Sequence, residues 1–261
     1  ISNTFVGSMA GDGTNDGGSC VAVGYLALSA NCGDANVAIG ESALTASTGV
    51  NNTAVGENAG AGVTSGNTNI LIGVNAGNEG TILTEGAENI FIGPSARGSG
   101  ATVDSEIAIG KDVACTGTAN FTFGSGSTDS NIAFGGTSIT APSDERYKEE
   151  IQEATAGLSF INDLRPVTFK WKKEKDIPSD HRAYVEGSET RVMLSQGETN
   201  HGFIAQEVKE VIDSHSEIQD GFDMWSEDGT DGRQRLGPTA LVPMLVKAVQ
   251  ELSAEIDKLK A

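Results

Sequence analysis

A five-residue motif, Asn followed by any two residues, an apolar residue and Gly, recurs through the first half of this 261-residue chain and constrains its fold. It reads NTFVG, NVAIG, NTAVG, NILIG, NIFIG, NFTFG and NIAFG, with the variants CVAVG and EIAIG. The glycines are Gly7, Gly24, Gly40, Gly56, Gly73, Gly93, Gly110, Gly124 and Gly135, at gaps of 17, 16, 16, 17, 20, 17, 14 and 11 residues. Ala27, Ala43, Ala59, Ala76 and Ala96 each stand three residues past one of these glycines. A unit this short cannot bury a face alone, so successive units must stack as rungs of short strands. The expectation is that the apolar residue before each Gly points inward and that the Gly permits the turn. Nine rungs at a strand spacing of about 4.8 Å give a shaft of about 40 Å. The recurrent Asn can stack on itself from rung to rung, satisfying side-chain amides and turn backbone together. Residues 125–130 and 135–142, rich in Ser, Thr and Gly, loosen towards the end of this shaft.

Inward residues that are mostly Ala, Val and Ile leave a narrow interior. A monomeric β-solenoid competes here with a homotrimer, intertwined or side by side. Core size favours the trimer, because so thin a core is marginal unless chains share apolar surface.

Composition changes sharply at residues 141–151, which predicts two domains: a β-solenoid or β-roll shaft over 1–142, and an α+β domain over 143–261 ending in a long helix at 238–261. The shaft carries 12 acidic and 2 basic residues, the rest 24 and 15, for a total charge of −19. Two acidic halves argue against nucleic acid as a partner. No apolar run approaches membrane-spanning length, so no membrane insertion is expected. The chain opens at Ile1 without Met, as expected of the C-terminal part of something longer. Cys20, Cys32 and Cys115 form no C-x-x-C pair and read as small buried or free thiols, while His181, His201 and His215 show no metal-ligand spacing. No metal and no cofactor is expected.

In the second half, residues 157–164 read as a helix with Leu158, Ile161 and Leu164 on one face, ended by Arg165-Pro166. A strand follows at 167–171. Residues 172–175 form a solvated loop or a basic patch, and 177–199 are polar and irregular. A second strand at 201–205 runs into a helix at 206–214. In the last helix Val242, Leu245, Val249, Leu252, Ile256 and Leu259 alternate at spacings of three and four, the pattern of a coiled-coil seam. The alternative is an amphipathic helix folded back on its own domain.

The boundary itself offers one piece of covalent chemistry. Ser143 becomes a nucleophile only if a base takes its proton, and Lys148 can be that base if burial or neighbouring charge keeps it neutral. On a continuous helix the two would lie about 140° apart, so Ser143 must sit in an extended segment just outside a helix start, which Asp144 suits as an N-cap.

The string from Ser143 through Asp144, Glu145, Arg146, Tyr147 and Lys148 to Ile151 resembles the S-D-x-R-x-K-x-x-I signature of the endosialidase-type intramolecular chaperone, a C-terminal domain of phage tail spikes and fibres. Leu164-Arg165-Pro166-Val167-Thr168-Phe169-Lys170-Trp171 and Gly202-Phe203-Ile204-Ala205-Gln206-Glu207-Val208 resemble two further segments of that family, and the helix at 241–259 a fourth. The resemblance implies a domain that assists trimeric assembly and is released by cutting before the motif serine, here between Pro142 and Ser143. It casts Ser143 as nucleophile and Lys148 as general base, acting in cis only. Arg146 either keeps Lys148 neutral by like-charge repulsion or pairs with Glu149 or Glu150. The shaft motif is similar to the head repeats of trimeric autotransporter adhesins and to repeats of phage fibres.

Together these imply the distal part of a phage tail fibre or spike, on a virion, attaching to a glycan or protein receptor on the host surface. A bacterial trimeric surface adhesin built of the same modules is the alternative. A glycan-degrading spike would need two carboxylates about 5 to 10 Å apart in a cleft. Glu41, Glu57 and Glu79 are scattered, with no insertion to build one, so such an activity would lie upstream of Ile1.

Overall fold

The computed structural model describes residues 2–193, 199–218 and 222–260. Contacts divide the chain into two compact units, Ile1–Lys148 and Glu149–Ala261.

The first unit is a β-solenoid. Strands β1 (Thr4–Val6), β2 (Val21–Val23), β3 (Val37–Ile39), β4 (Thr53–Val55), β5 (Ile70–Ile72), β6 (Ile90–Ile92), β7 (Ile107–Lys111) and β8 (Asn120–Ser125) form one parallel ladder in sequence order, so the chain makes seven turns. Each motif pairs residue for residue with the next, as in Ala38 with Ala54 and Val55 with Ile72. The rise from β1 to β8 is about 34 Å. The ninth motif does not extend it: β9 (Thr128–Ala133) turns back antiparallel to β8. A step of eleven residues from Gly124 to Gly135 is too short to travel round the interior, so the chain closes a hairpin instead. The expected count of nine rungs is therefore corrected to eight.

The expected direction of the motif is also corrected. The residue two before each Gly points inward, and Ala22, Ala38, Ala54, Leu71, Phe91, Ala108 and Thr122 are all fully buried. The apolar residue directly before Gly faces out, with Ile39 39%, Ile72 37% and Ile109 39% exposed. Strand pleating explains this: Asn36, Asn52, Asn69 and Asn89 are fully buried, and with a period of two the residue three positions later must lie on the opposite face. Gly40 shows why the motif ends on Gly. Its φ is +133°, and a Cβ there would lie 2.4 Å from the carbonyl oxygen of Gly56 one rung on.

The asparagines form a ladder inside the solenoid. Asn52 Oδ1 accepts from the backbone N–H of Asn69 and from its side-chain amide, both at 3.0 Å, and Asn69 Oδ1 accepts likewise from Asn89 at 3.1 and 3.0 Å. The amides also donate to turn carbonyls, Asn52 to Gly66 at 2.8 Å and Asn69 to Gly86 at 2.9 Å. Buried polar side chains are thus satisfied along with the backbone corners they face. Glu106 takes the Asn position one rung further and, fully buried, accepts from Ser99 N–H at 2.9 Å and Ser99 Oγ at 2.5 Å. The five alanines three residues past the glycines are buried as well, and Leu71, Leu83 and Phe91 fill the interior around the 20-residue repeat.

The second unit is a small α+β assembly. Helix α1 (Leu158–Asp163) leads to β10 (Val167–Phe169), which pairs antiparallel with β11 (Asn200–Gly202). Helix α2 (Ala205–Ser214) follows, then the hairpin of β12 (Trp225–Glu227) and β13 (Gln234–Leu236), then a 3-10 turn at Pro238–Leu241 leading into α3 (Val242–Lys260). The core gathers Ala156, Phe160, Leu164, Val208, Ile212, Ile218, Met224 and Leu241. Phe160, rather than the expected Leu158 or Ile161, is the fully buried residue of α1. Lys173 and Lys175 both pair with Glu189, whose carboxyl they lower to about 2. Within the irregular stretch at 177–199, residues 194–198 lie outside the described ones, as do Ile1 and the last residue of the 238–261 helix.

Candidate functional site

The boundary segment builds its geometry from three local devices. Asp144 is extended at φ −71° and ψ 135°, and its carboxylate accepts from the Arg146 backbone N–H at 2.9 Å, capping a 3-10 turn at Glu145–Tyr147. Lys148 ends that turn in an extended conformation, its N–H donating to the Glu145 carbonyl at 3.0 Å. Three tight residues between two extended ones fold the chain back far enough for Lys148 Nζ to donate to Ser143 Oγ at 2.7 Å. A 3-10 turn, rather than the start of an α-helix, brings these residues together.

Arg146 pairs with Asp144, and not with Glu149 or Glu150. Its guanidinium grips Asp144, with Nη2 at 2.6 Å from Oδ2 and Nε at 3.0 Å from Oδ1. The pair holds the Asp144 carboxyl below its usual range and raises the guanidinium, chiefly through the side-chain hydrogen bond. Arg146 therefore braces the turn that presents Lys148, and its charge is engaged away from Glu149 and Glu150. Pro142, Ser143 and Lys148 are all exposed, as are Tyr147 and Ile151. The pair has the reach for nucleophile activation, and in the single chain it stands in the open.

Two apolar faces accompany this pair, one in each unit. On the solenoid the outward sheet face carries Val37 and Ile39, Ile70 and Ile72, and Ile107 and Ile109 on rung after rung, with Ile70 38% exposed. On α3 the whole run of Val242, Leu245, Val249, Leu252, Ile256 and Leu259 is exposed. The helix packs on α1 through its other side, where Ala248 is buried and Glu251 accepts from the Leu158 N–H at 2.7 Å. The helix thus folds back on its own unit and leaves its apolar run exposed.

His215, the buried histidine, lies between Asp163 at 2.9 Å and Glu217 at 2.8 Å, joining the end of α2 to α1. Among the described residues no cluster of His, Cys, Asp and Glu is arranged to hold a metal, and no helix is long and apolar enough to cross a membrane. Sequence reasoning missed the closeness of Cys20 and Cys32, twelve residues apart, because only the folded rung brings them together.

Residues 143–217 match the family described as the chaperone of endosialidase. The match opens on Ser143 and ends before β12, β13 and α3, so the terminal helix lies beyond it. No curated protein and no solved structure matches the chain. Behind its β-solenoid, this chain carries an endosialidase-type chaperone domain whose family match opens at the serine of the Ser143 and Lys148 pair.

Proposed function

We propose that the chain is the distal shaft of a phage tail fibre or spike, residues 1–142, joined to a chaperone domain at 143–261 that drives trimer assembly and then releases itself. The observation that carries this reading is the start of the chaperone match at Ser143, directly after a solenoid whose outward sheet face carries at least one apolar side chain on every rung. Contiguous exposed apolar surface of that kind marks an interaction site. In three copies side by side, sheet face covers sheet face along the shaft, and α3 seam covers α3 seam in the second unit. Fewer than three heptads of Val, Leu and Ile in α3 leave strand number to the larger shaft contact. Attachment to a host-surface glycan or protein, as part of a virion, follows from such an assembly.

Release proceeds at the Pro142 to Ser143 bond. Assembly covers the exposed pair, and burial favours the neutral amine that a general base requires, its proton released to water. Ser143 Oγ then attacks the Pro142 carbonyl carbon while its proton passes to Nζ. The C–N bond breaks, the Ser143 amine takes that proton, and the resulting ester is hydrolysed by water. The products are a Pro142 carboxylate and a new Ser143 N-terminus. Because Lys148 is exposed in a single chain, cutting waits for assembly, and the shaft is complete before its chaperone leaves.

Light scattering tests the assembly. Full-length Ser143→Ala protein should have about three times the 26.9 kDa chain mass. Residues 1–142 expressed alone should fail to reach a soluble trimer, and a well-folded trimer made without the second half would remove the chaperone role.

A further inference from the structure

The asparagine ladder has a gap at the second rung, and two thiols stand there. Cys20 occupies the ladder position between Asn3 and Asn36, and its N–H still donates to Asn3 Oδ1 at 2.9 Å. Its side chain passes nothing on to the next rung. Cys20 Sγ instead lies 3.5 Å from the Gly18 carbonyl oxygen and 3.3 Å from that of Gly33, both weak partners for a thiol. Cys32, in the corner of the same rung, lies 3.3 Å from Thr14 Oγ1 and 3.7 Å from Cys20 Sγ. Cys20 is 0% and Cys32 2% exposed. The third thiol, Cys115, lies several rungs away and faces Glu106 and Thr122.

We propose that Cys20 and Cys32 form a disulfide across this rung when the shaft meets an oxidising medium, by exchange with a small-molecule disulfide such as oxidised glutathione. A disulfide needs its sulfurs about 2.05 Å apart. The two buried sulfurs are already in van der Waals contact and must close about 1.7 Å to bond. In the exchange, one cysteine gives its proton to solvent and its thiolate attacks a sulfur of oxidised glutathione, breaking that S–S bond and expelling one glutathione thiolate. The second cysteine thiolate then attacks the mixed disulfide at the protein sulfur and expels the other. Two protein thiols are oxidised, and one glutathione disulfide is reduced to two thiols. Burial raises the Cys32 thiol and slows this in the closed rung, so exchange proceeds as the rung folds or locally opens. The bond restores by covalency the tie that the ladder loses at Cys20, and staples a loop of about a dozen residues within one rung.

The test uses the full chain as wild type, Cys20→Ser and Cys115→Ser. Each is equilibrated natively, and separately refolded from denaturant, in reducing and oxidising glutathione buffers, then alkylated in denaturant and weighed. In the oxidising buffer wild type should fall from three alkylated thiols to one and Cys115→Ser from two to none, while Cys20→Ser keeps two. Peptic digestion should recover a peptide joining Cys20 to Cys32. Oxidised wild type should also melt higher than reduced, and Cys20→Ser should show no such difference. Refolding removes burial as an obstacle. Three free thiols after oxidative refolding, stable glutathione adducts, or a bond involving Cys115 or a second chain would each overturn the pairing.

Discussion

The two units are held together by opposite means. The solenoid ties its buried asparagines together through one repeated device, the Asn ladder, and its small interior is lined by an alanine on rung after rung. The second unit has one cluster of eight buried residues, and much of its surface is tied by ion pairs such as those of Asp228 with Arg233 and Arg235. Stability in a stacked repeat is a sum of near-neighbour terms, so damage to one rung stays close to it. A single small core has no such redundancy. The second unit is accordingly the part that gains most from partners, and its terminal helix leaves a full apolar face open for them.

The contrast can be broken most severely inside the ladder. Asn69→Ala removes the acceptor of Asn89 and the donor to Gly86, orphaning buried groups on two rungs. The expected loss is about 4 kcal/mol, and hydrogen exchange should rise in the rungs around β5 with the second unit unaffected. Spread of the damage across both units would contradict the division. Phe160→Ala is the matching lesion in the other core, expected to cost about 3 kcal/mol. The same exchange experiment should show the whole second unit loosened and the Asn ladder still protected.

A smaller effect should follow from the open face. Leu252→Glu puts charge where assembly buries apolar surface, and should cost about 2 kcal/mol per chain in association with little change to the fold. Lys258→Glu, off the seam, is the control, and equal tolerance of both changes in light scattering would leave the helix with no role beyond its own unit. The smallest effect concerns pH. Glu217 first and Asp163 second raise the His215 pKa in the folded chain. Protonated His215 therefore contributes stability that is fully present below about pH 6.5, the unfolded value, and is lost as pH rises through the higher folded value. The melting temperature of the second unit should fall across that window, and His215→Gln should flatten the profile.

Much of the solenoid was legible because a ladder leaves its period in the sequence. The direction of its apolar residue was not, although it follows once the count of two starts from the buried Asn and not from the Gly. That reversal moves the Val and Ile pairs from the interior, where they would have filled a core, to a surface that calls for neighbours. The gap of 11 before Gly135 already encoded the hairpin that replaces a ninth rung. In the second unit, Asp228-Gly229 and Asp231-Gly232 carried the turn signal of the unforeseen β12 and β13 hairpin. At the site, helical spacing gave no reason for residues five apart to meet. A 3-10 turn between extended residues supplies it, and the same turn sets Arg146 on Asp144, two residues back.

The central claim is that Ser143 cuts the chain from Pro142 once assembly has covered Lys148. Intact-mass spectrometry of the purified wild-type protein over prolonged incubation tests it most directly. The 26.9 kDa chain should give way to two species that divide between residues 142 and 143, while Ser143→Ala and Lys148→Ala remain whole and still assemble. If folded, trimeric wild type keeps only the full-length mass, self-release is wrong for this chain, and the second unit is a permanent cap on the shaft.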